Sequence, residues 1–186
     1  MPFRVQLHNA PFEALLAIYV RDHLAGAAGG VALARRAAGT TRQLDPQAAT
    51  TLSRLVREID EDGRALRRCA TALGIRQPRL RALSASIAER LGRMKLNGQL
   101  LGTSALSPVL ELELLIMAVT GKARGWRNLA TLAPDGVPDD IDLEALEQRS
   151  LQQRAQLEAL QDHLILRLRE PSTALTGGAG SPRPSG

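Results

Sequence analysis

The chain of 186 residues is long enough for one domain with a real core, and its net charge of +5 is modest. Hydrophobic residues make up 44% of the chain and aromatic residues only 2%, a Leu- and Ala-rich composition that favours helices over strands. The chain has one cysteine, Cys69, which excludes an intramolecular disulfide framework. The longest strongly apolar stretch, 112–119, is far short of the ~20 residues that span a bilayer. We therefore expect a cytoplasmic protein without a membrane span.

Five helices are predicted in chain order from their capping and breaking residues. Pro11 lies in the first turn of the first helix, and the Gly-Thr-Thr sequence at 39–41 breaks it. Asp45 and Pro46 form a cap and first-turn signal for the second helix, which Gly74 closes. The predicted helices cover about 11–38, 46–73, 78–97, 107–132 and 142–169.

Short links between long helices favour antiparallel neighbours. The predicted fold is therefore all-α, an up-and-down bundle of four to five helices in a single domain at 11–170. Residues 1–10 form an N-terminal segment, and the tail at 171–186, rich in Gly, Pro and Ser, is predicted to be disordered.

Apolar residues follow the helices with an alternating spacing of three and four, the coiled-coil-like pattern of a stripe that faces other helices. In the first helix this pattern places His23 at a core position. The fourth helix carries two such seams and is predicted to be the most buried. The seam of the second helix consists of Leu52, Val56, Ile59, Gly63, Leu66, Ala70 and Leu73. The first seam of the fourth helix consists of Val109, Leu112, Ile116, Val119, Ala123 and Trp126. Its second seam consists of Leu110, Leu114, Met117 and Gly121.

A run of small residues at 25–30, Ala-Gly-Ala-Ala-Gly-Gly, lies on the seam of the first helix. Each glycine costs a helix roughly 1 kcal/mol relative to alanine, so the run needs a structural reason. Close approach of helix backbones, with Gly63 on the second seam, is the interpretation we prefer. A binding cavity beside the glycines is the functional alternative.

Ionisable residues of all five predicted helices fall at one height. Residues equidistant from the turn between antiparallel helices lie at similar levels, and reflecting residue 23 through successive turns leads to positions near 60, 92, 112 and 161. A similar reflection places Glu13 level with Lys122. The predicted polar layer consists of Asp22, His23, Asp60, Asp62, Arg90, Arg93, Glu111, Glu113 and Asp162.

Three interpretations of this layer remain open, and one of them is a chance alignment of heights. Glu113 has apolar helical neighbours, and a buried carboxylate must be paired or protonated. The simpler interpretation is an internal salt-bridge layer in which Asp60 or Glu113 satisfies His23. The alternative is a mixed iron or zinc site with the candidate ligands His23, Asp60, Glu113 and His163. The Glu-x-x-His pairs of di-iron bundles are missing from the sequence.

The basic residues are concentrated at 64–95, which holds nine of them against one acid. Such a stretch can bind nucleic acid. Aromatic residues that stack on bases are nearly absent, however, and no recognition motif is visible, so we expect no nucleic-acid partner. The simpler interpretation is that the basic stretch is attracted to the acidic segment at 135–170, within the bundle or between subunits.

No catalytic or nucleotide-binding motif accompanies the seams. Cys69 has no histidine at its height and is expected to be a buried or half-buried, unreactive thiol. The glycine run lacks the Gly-Lys-Ser/Thr ending of a phosphate loop. We therefore expect no catalytic residues and no cofactor.

Several pieces of the sequence together resemble a known group of proteins. These pieces are Tyr-Val-Arg-Asp-His-Leu-Ala-Gly-Ala at 19–27, Glu58 with Asp62, Gly-Arg-Met-Lys-Leu-Asn-Gly at 92–98, Glu-Leu-Glu at 111–113, and Gly121-Lys122 with Trp126. They resemble an uncharacterised bacterial family of small all-helical proteins, loosely similar to ferritin-like bundles, over about residues 12–168. The resemblance implies the bundle shape and no established activity.

The sequence thus predicts a non-enzymatic helical bundle that acts as a binding or interaction module. We expect it to self-associate as a homodimer through exposed apolar parts of the fourth or fifth helix, and a further protein partner is unknown. A ferritin-like protein that binds iron or zinc is the second hypothesis.

Overall fold

The computed structural model describes residues 11–76 and 106–169, and all of its regular structure in these ranges is helical. The N-terminal segment, the predicted helix at 78–97 with Arg90 and Arg93, and the tail lie outside the described residues. Within the described ranges the all-α prediction is confirmed. The helices are α1 (Phe12–Leu44), α2 (Pro46–Ala72), α3 (Ser107–Leu132) and α4 (Leu143–Arg169), with a 3-10 turn at Pro134–Gly136.

Capping residues set both ends of α2 and the start of α4, close to where the sequence predicts these ends. The Asp45 carboxylate accepts hydrogen bonds from the backbone N–H groups of Gln47 and Ala48, both at 2.9 Å, at the start of α2. Gly74 follows the end of α2 with a φ of 67°, a left-handed conformation that favours glycine. Asp142 caps α4 in the same way as Asp45 caps α2.

The predicted break of α1 at 39–41 is wrong, since the helix continues to Leu44. Ala37, Ala38 and Thr41 are buried in this last part of α1. Tertiary packing of one face outweighs the weak helix propensity of glycine and threonine. Thr40 also fits the helix, because its hydroxyl donates to the carbonyl of Ala37 at 3.1 Å.

Neighbouring helices of the bundle are antiparallel. α1 packs on α2 and α3, and α4 packs on α3 and α2. Arg36, late in α1, contacts Glu111, early in α3. Asp62 in the second half of α2 pairs with Arg149 in the first half of α4. It follows that α2 and α3 are parallel and diagonally opposed, and that the end of α2 and the start of α3 lie at opposite ends of the bundle.

Two apolar clusters form the core, one toward each end of the bundle. The first is built around Leu52 and Leu112, and the second around Leu66 and Trp126. At the level between them α1 contributes only the small residues 25–30. The middle of the bundle is therefore poorer in large apolar side chains than either end.

α3 buries one of its two predicted seams. Val109, Leu112 and Val119 are buried, whereas Met117 of the second seam is 56% exposed. The first seam therefore faces α1 and α4, and the second faces outward. None of the described helices combines the length and apolarity needed to cross a membrane.

Candidate functional site

A buried ion cluster occupies the level between the two apolar clusters. The Asp62 side chain has no exposed surface, and both of its carboxylate oxygens accept hydrogen bonds. Lys122 donates to Oδ2 and Arg149 donates to Oδ1. Gln153 Nε2 donates to Oδ2 at 3.3 Å, and Gln153 Oε1 accepts from Lys122. This buried carboxylate is thus paired with two cations and an amide, as burial of a charge requires.

Lys122 lies at the inner edge of this cluster, and its side chain is 16% exposed. Burial is the largest influence on the Lys122 pKa and lowers it, the Asp62 carboxylate acts in the opposite direction, and the Arg149 guanidinium lowers it further. An ammonium has three N–H donors. The described residues supply acceptors for two of them, on Asp62 and Gln153. One donor therefore remains for a ligand or water.

A cavity of about 290 Å³ opens beside Lys122. α1 and α3 form its walls, the buried residues Ile59, Gly63 and Leu66 of α2 form its floor, and exposed residues such as Gly26 lie at its rim. We call this cavity the α1/α3 groove. Most of its lining is aliphatic or glycine, and its polar lining residues are Tyr19, Asp22, His23, Asp62 and Lys122. An apolar pocket with a few polar groups is the usual form of a small-molecule site.

The glycines of α1 leave this groove open. A methyl group added at Gly26 or Gly30 would meet no atom of the described residues within 4 Å, although Gly30 is itself buried. Among the described residues, close packing of helix backbones therefore does not account for these two glycines, which line a cavity. That this cavity binds a ligand stays a prediction. Gly63 does pack at ordinary distance, with its added Cβ 3.8 Å from Ala27. Gly121 on α3 also leaves open space.

His23 closes one end of the groove. Its ring packs on the backbone of α3 at Gly125, where an added Cβ would lie 2.5 Å from His23 Cδ2. Its Nδ1 lies 3.0 Å from the carbonyl oxygen of Tyr19, which can only accept, so Nδ1 donates. The Tyr19 and His23 ring centroids are 4.2 Å apart. The expectation that Asp60 or Glu113 satisfies His23 is therefore wrong.

The predicted heights of the ionisable residues along the bundle are wrong, because each reflection through a turn adds the error in the position of that turn. α1 extends to Leu44, so the first turn lies later than assumed, and His23 is level with Gly125 and not with residue 112. The pairing of Lys122 with Glu13 is wrong for the same reason. Glu13 is exposed, and Lys122 bonds to Asp62.

The two predicted glutamates of α3 have opposite environments. Glu113 is exposed, so its predicted burial in an apolar face is wrong, because that face is the outward seam of α3. Glu111 is buried and accepts from Arg36 Nε at 2.5 Å and from the Thr40 hydroxyl at 2.6 Å. Asp60 forms a surface pair with Arg64 at 2.5 Å.

The candidate metal ligands do not come together. His163 Nε2 bonds to Asp45 Oδ2 at 2.8 Å, at the turn between α1 and α2. That turn lies 22 residues after His23 in the chain, about 33 Å along a helix. No group of three His, Cys, Asp or Glu side chains in the described ranges could hold a metal ion. Asp22 lies at the groove rim and Asp162 on the surface, both exposed.

Sequence reasoning placed Asp62 in a polar layer but missed its partners. The sequence does indicate that Gln153 faces the core, because it lies on the apolar seam of α4, with its spacing of three and four, between Leu146 and Leu157. Lys122 has apolar helical neighbours, which marks it as inward-facing. Arg149 carries no such signal in the sequence.

The remaining predicted features lie apart from the groove. The Cys69 thiol is buried, as expected, and burial raises its pKa. The basic stretch is described only up to Arg76, and within it Arg68 pairs with Asp140 at 2.6 Å. This contact joins basic α2 to the acidic segment before α4, as the simpler interpretation of the charges predicts.

Searches against protein-family models, curated proteins and solved structures return no match to the chain. These comparisons give no basis for naming a bacterial or ferritin-like family. Within the described ranges the fold is an all-α bundle, and the groove and the ion cluster are its candidate functional features.

Proposed function

We propose that the chain is a binding protein that holds a small, mainly apolar molecule in the α1/α3 groove. The observation that carries this proposal is Gly30, a buried helical residue whose added methyl group would meet nothing within 4 Å in the part of the chain that the structure describes. Alanine at this position would suit the helix better by roughly 1 kcal/mol. The space beside Gly30 thus comes at a cost in stability that a ligand site explains.

The size of the groove limits the ligand. Its volume of about 290 Å³ lies at the lower end of ligand pockets. A pocket of this size suits a small molecule. The aliphatic lining favours a hydrocarbon chain or a small ring.

This proposal keeps the predicted non-enzymatic binding module and makes its site specific. The alternative of a ferritin-like iron or zinc protein has weaker support, because His23, Asp60, Glu113 and His163 each have separate surroundings. A cytoplasmic location is part of the proposal, since the free thiol of Cys69 suits a reducing compartment.

The single tryptophan of the chain offers a direct test, because Trp126 lies along the groove. Titration with octan-1-ol is expected to change the Trp126 fluorescence in a saturable manner. Gly30→Leu, which fills the groove, is expected to abolish the change. Gly39→Leu is the matched control, since Gly39 is an exposed residue of α1 outside the groove.

Two outcomes would contradict the proposal. One is unchanged fluorescence of the unaltered chain up to the solubility limit of octan-1-ol. The other is a folded Gly30→Leu variant that binds octan-1-ol as well as the Gly39→Leu variant does.

A further inference from the structure

Trp126 carries a buried hydrogen-bond donor that no described residue satisfies. The residue is 2% exposed, and its indole Nε1 has no acceptor in the part of the chain that the structure describes. An indole N–H can only donate, and a buried tryptophan usually finds an acceptor for it. A buried donor without an acceptor costs free energy, so this one needs a reason. Because Trp126 lines the α1/α3 groove, a bound ligand can supply the acceptor.

The charges around the groove determine which kind of acceptor fits. The charged residues of its described lining are Asp22 and Asp62 against Lys122. Asp62 and Lys122 bond to each other, and Asp22 lies exposed at the rim. The lining therefore has no excess positive charge to balance an anion in a mainly apolar cavity. It follows that the acceptor on the ligand is uncharged.

The matching ligand group accepts hydrogen bonds without donating any. Of the buried side-chain nitrogen and oxygen atoms in the described lining of the groove, Trp126 Nε1 is the one without a partner. A ligand hydroxyl or amide N–H would add a further donor, whereas both oxygens of the buried Asp62 carboxylate already accept hydrogen bonds. A carbonyl oxygen has acceptor lone pairs and no donor.

On the basis of the proposed function, we propose that the ligand of the α1/α3 groove is a small, uncharged aliphatic carbonyl compound, such as a ketone or an ester, whose carbonyl oxygen accepts a hydrogen bond from Trp126 Nε1. His23 packs on Gly125, the residue before Trp126, and closes this end of the groove. The hydrocarbon part would therefore extend the other way, past Gly26 and Gly30, where the described residues leave open space.

A matched pair of ligands tests this assignment. Cyclohexanone and methylenecyclohexane have the same ring and the same number of non-hydrogen atoms, but only the ketone has an oxygen acceptor. Trp126 is the one tryptophan of the chain, so its indole N–H gives a single signal in a ¹H–¹⁵N NMR spectrum. Cyclohexanone should shift this proton downfield in a saturable manner, because a hydrogen bond deshields the proton. Methylenecyclohexane should bind in the groove without a downfield shift.

Calorimetric titration of Trp126→Phe measures the same hydrogen bond as an affinity, because phenylalanine keeps an aromatic ring and lacks the donor. The affinity for cyclohexanone relative to methylenecyclohexane should fall by about two- to tenfold, the range expected for one neutral hydrogen bond. Tyr19→Phe is the matched control. It removes a hydroxyl from another aromatic residue of the groove, and this hydroxyl has Asn128 as its partner, so the relative affinity should stay unchanged.

The results distinguish the ligand class from the function. If methylenecyclohexane binds and cyclohexanone causes no downfield shift of the indole proton, the carbonyl assignment is wrong while the binding function stands. If neither compound binds, the proposed function itself fails. A folded Trp126→Phe variant with the same relative affinity as Tyr19→Phe also overturns the assignment. Should Trp126→Phe not fold, the indole signal of the unaltered chain decides.

Discussion

Lys122 of α3 donates a hydrogen bond to Asp62 of α2, which joins two diagonally opposed helices through the middle of the bundle. The pair lies at the level where the apolar core is interrupted and where the small residues of α1 leave the groove open. Its position accounts both for the buried ion pair of the described core and for the polar part of the candidate ligand site.

Removing the Asp62 charge should destabilise the protein strongly. Asp62→Asn leaves Lys122 and Arg149 facing each other without the buried carboxylate, and breaking a buried pair by removing one partner costs about 3–5 kcal/mol. Urea unfolding measures the change. The matched control is Asp60→Asn, which removes an exposed α2 pair with Arg64 and should cost no more than about 0.5 kcal/mol. Equal losses of unfolding free energy in the two variants would show that the buried cluster stabilises the protein no more than a surface ion pair does.

Two glycine substitutions should have opposite effects on stability. Gly30→Ala should raise the free energy of unfolding by roughly 1 kcal/mol, because alanine favours the helix and its methyl group enters open space. Gly125→Ala should lower it, because its Cβ would lie 2.5 Å from His23 Cδ2 and force the ring to move. Thermal unfolding of both variants checks this pair. Destabilisation by Gly30→Ala would mean that the groove is closed in solution.

Stability should depend on the Asp45 cap and on pH. Hydrogen bonds from the Ala48 N–H and then from His163 hold the pKa of Asp45 below its ordinary value of 3.8. The stabilisation is therefore present above that value and is lost as pH falls through the folded-state pKa. Asp45→Ala should cost about 1 kcal/mol near neutral pH, and the difference from the parent should shrink in acid.

Asp45→Asn serves as the control for this prediction, because asparagine keeps the capping acceptor but cannot titrate. It should retain most of the stability near neutral pH. A loss for Asp45→Ala that stays constant down to strongly acidic pH would show that the ionised carboxylate is not what stabilises α2.

Self-association remains a prediction, and the structure identifies where to test it. Leu166 of α4 is 60% exposed, and Ile165 beside it is 41% exposed. Leu166→Glu should shift the chain from dimer to monomer in light scattering, because a charge at an apolar interface is costly. Leu15→Glu on α1, where Leu15 is 40% exposed, is the control. A parent chain that is monomeric at micromolar concentration would contradict homodimer formation.

The sequence was sufficient for features that depend on one helix at a time. The cap at Asp45, the end of α2 at Gly74 and the buried seam of α2 follow from local spacing and turn chemistry. Relations between helices were not predictable, because the extension of α1 from Ala38 to Leu44 alone shifts its register by about 9 Å. Asp62 is buried in a polar cluster, but its partners Lys122, Arg149 and Gln153 do not belong to the predicted layer.

The groove, too, depends on relations between helices that the sequence does not show. The run at 25–30 indicated an unusual place in α1, but close packing and an open cavity have the same sequence signature. Only the surroundings of Gly26 and Gly30 distinguish them, and these depend on side chains of α2 and α3.

The measurement that tests the account most directly is a two-dimensional ¹H–¹⁵N NMR titration of the chain with octan-1-ol, because glycine amides report on the groove itself. The amide signals of Gly26, Gly30 and Gly121, which border the groove, are expected to shift in a saturable manner. The signals of Gly39 and Gly74 lie outside it and should stay in place. Shifts confined to glycines away from the groove, or no shifts at all, would contradict a ligand site between α1 and α3.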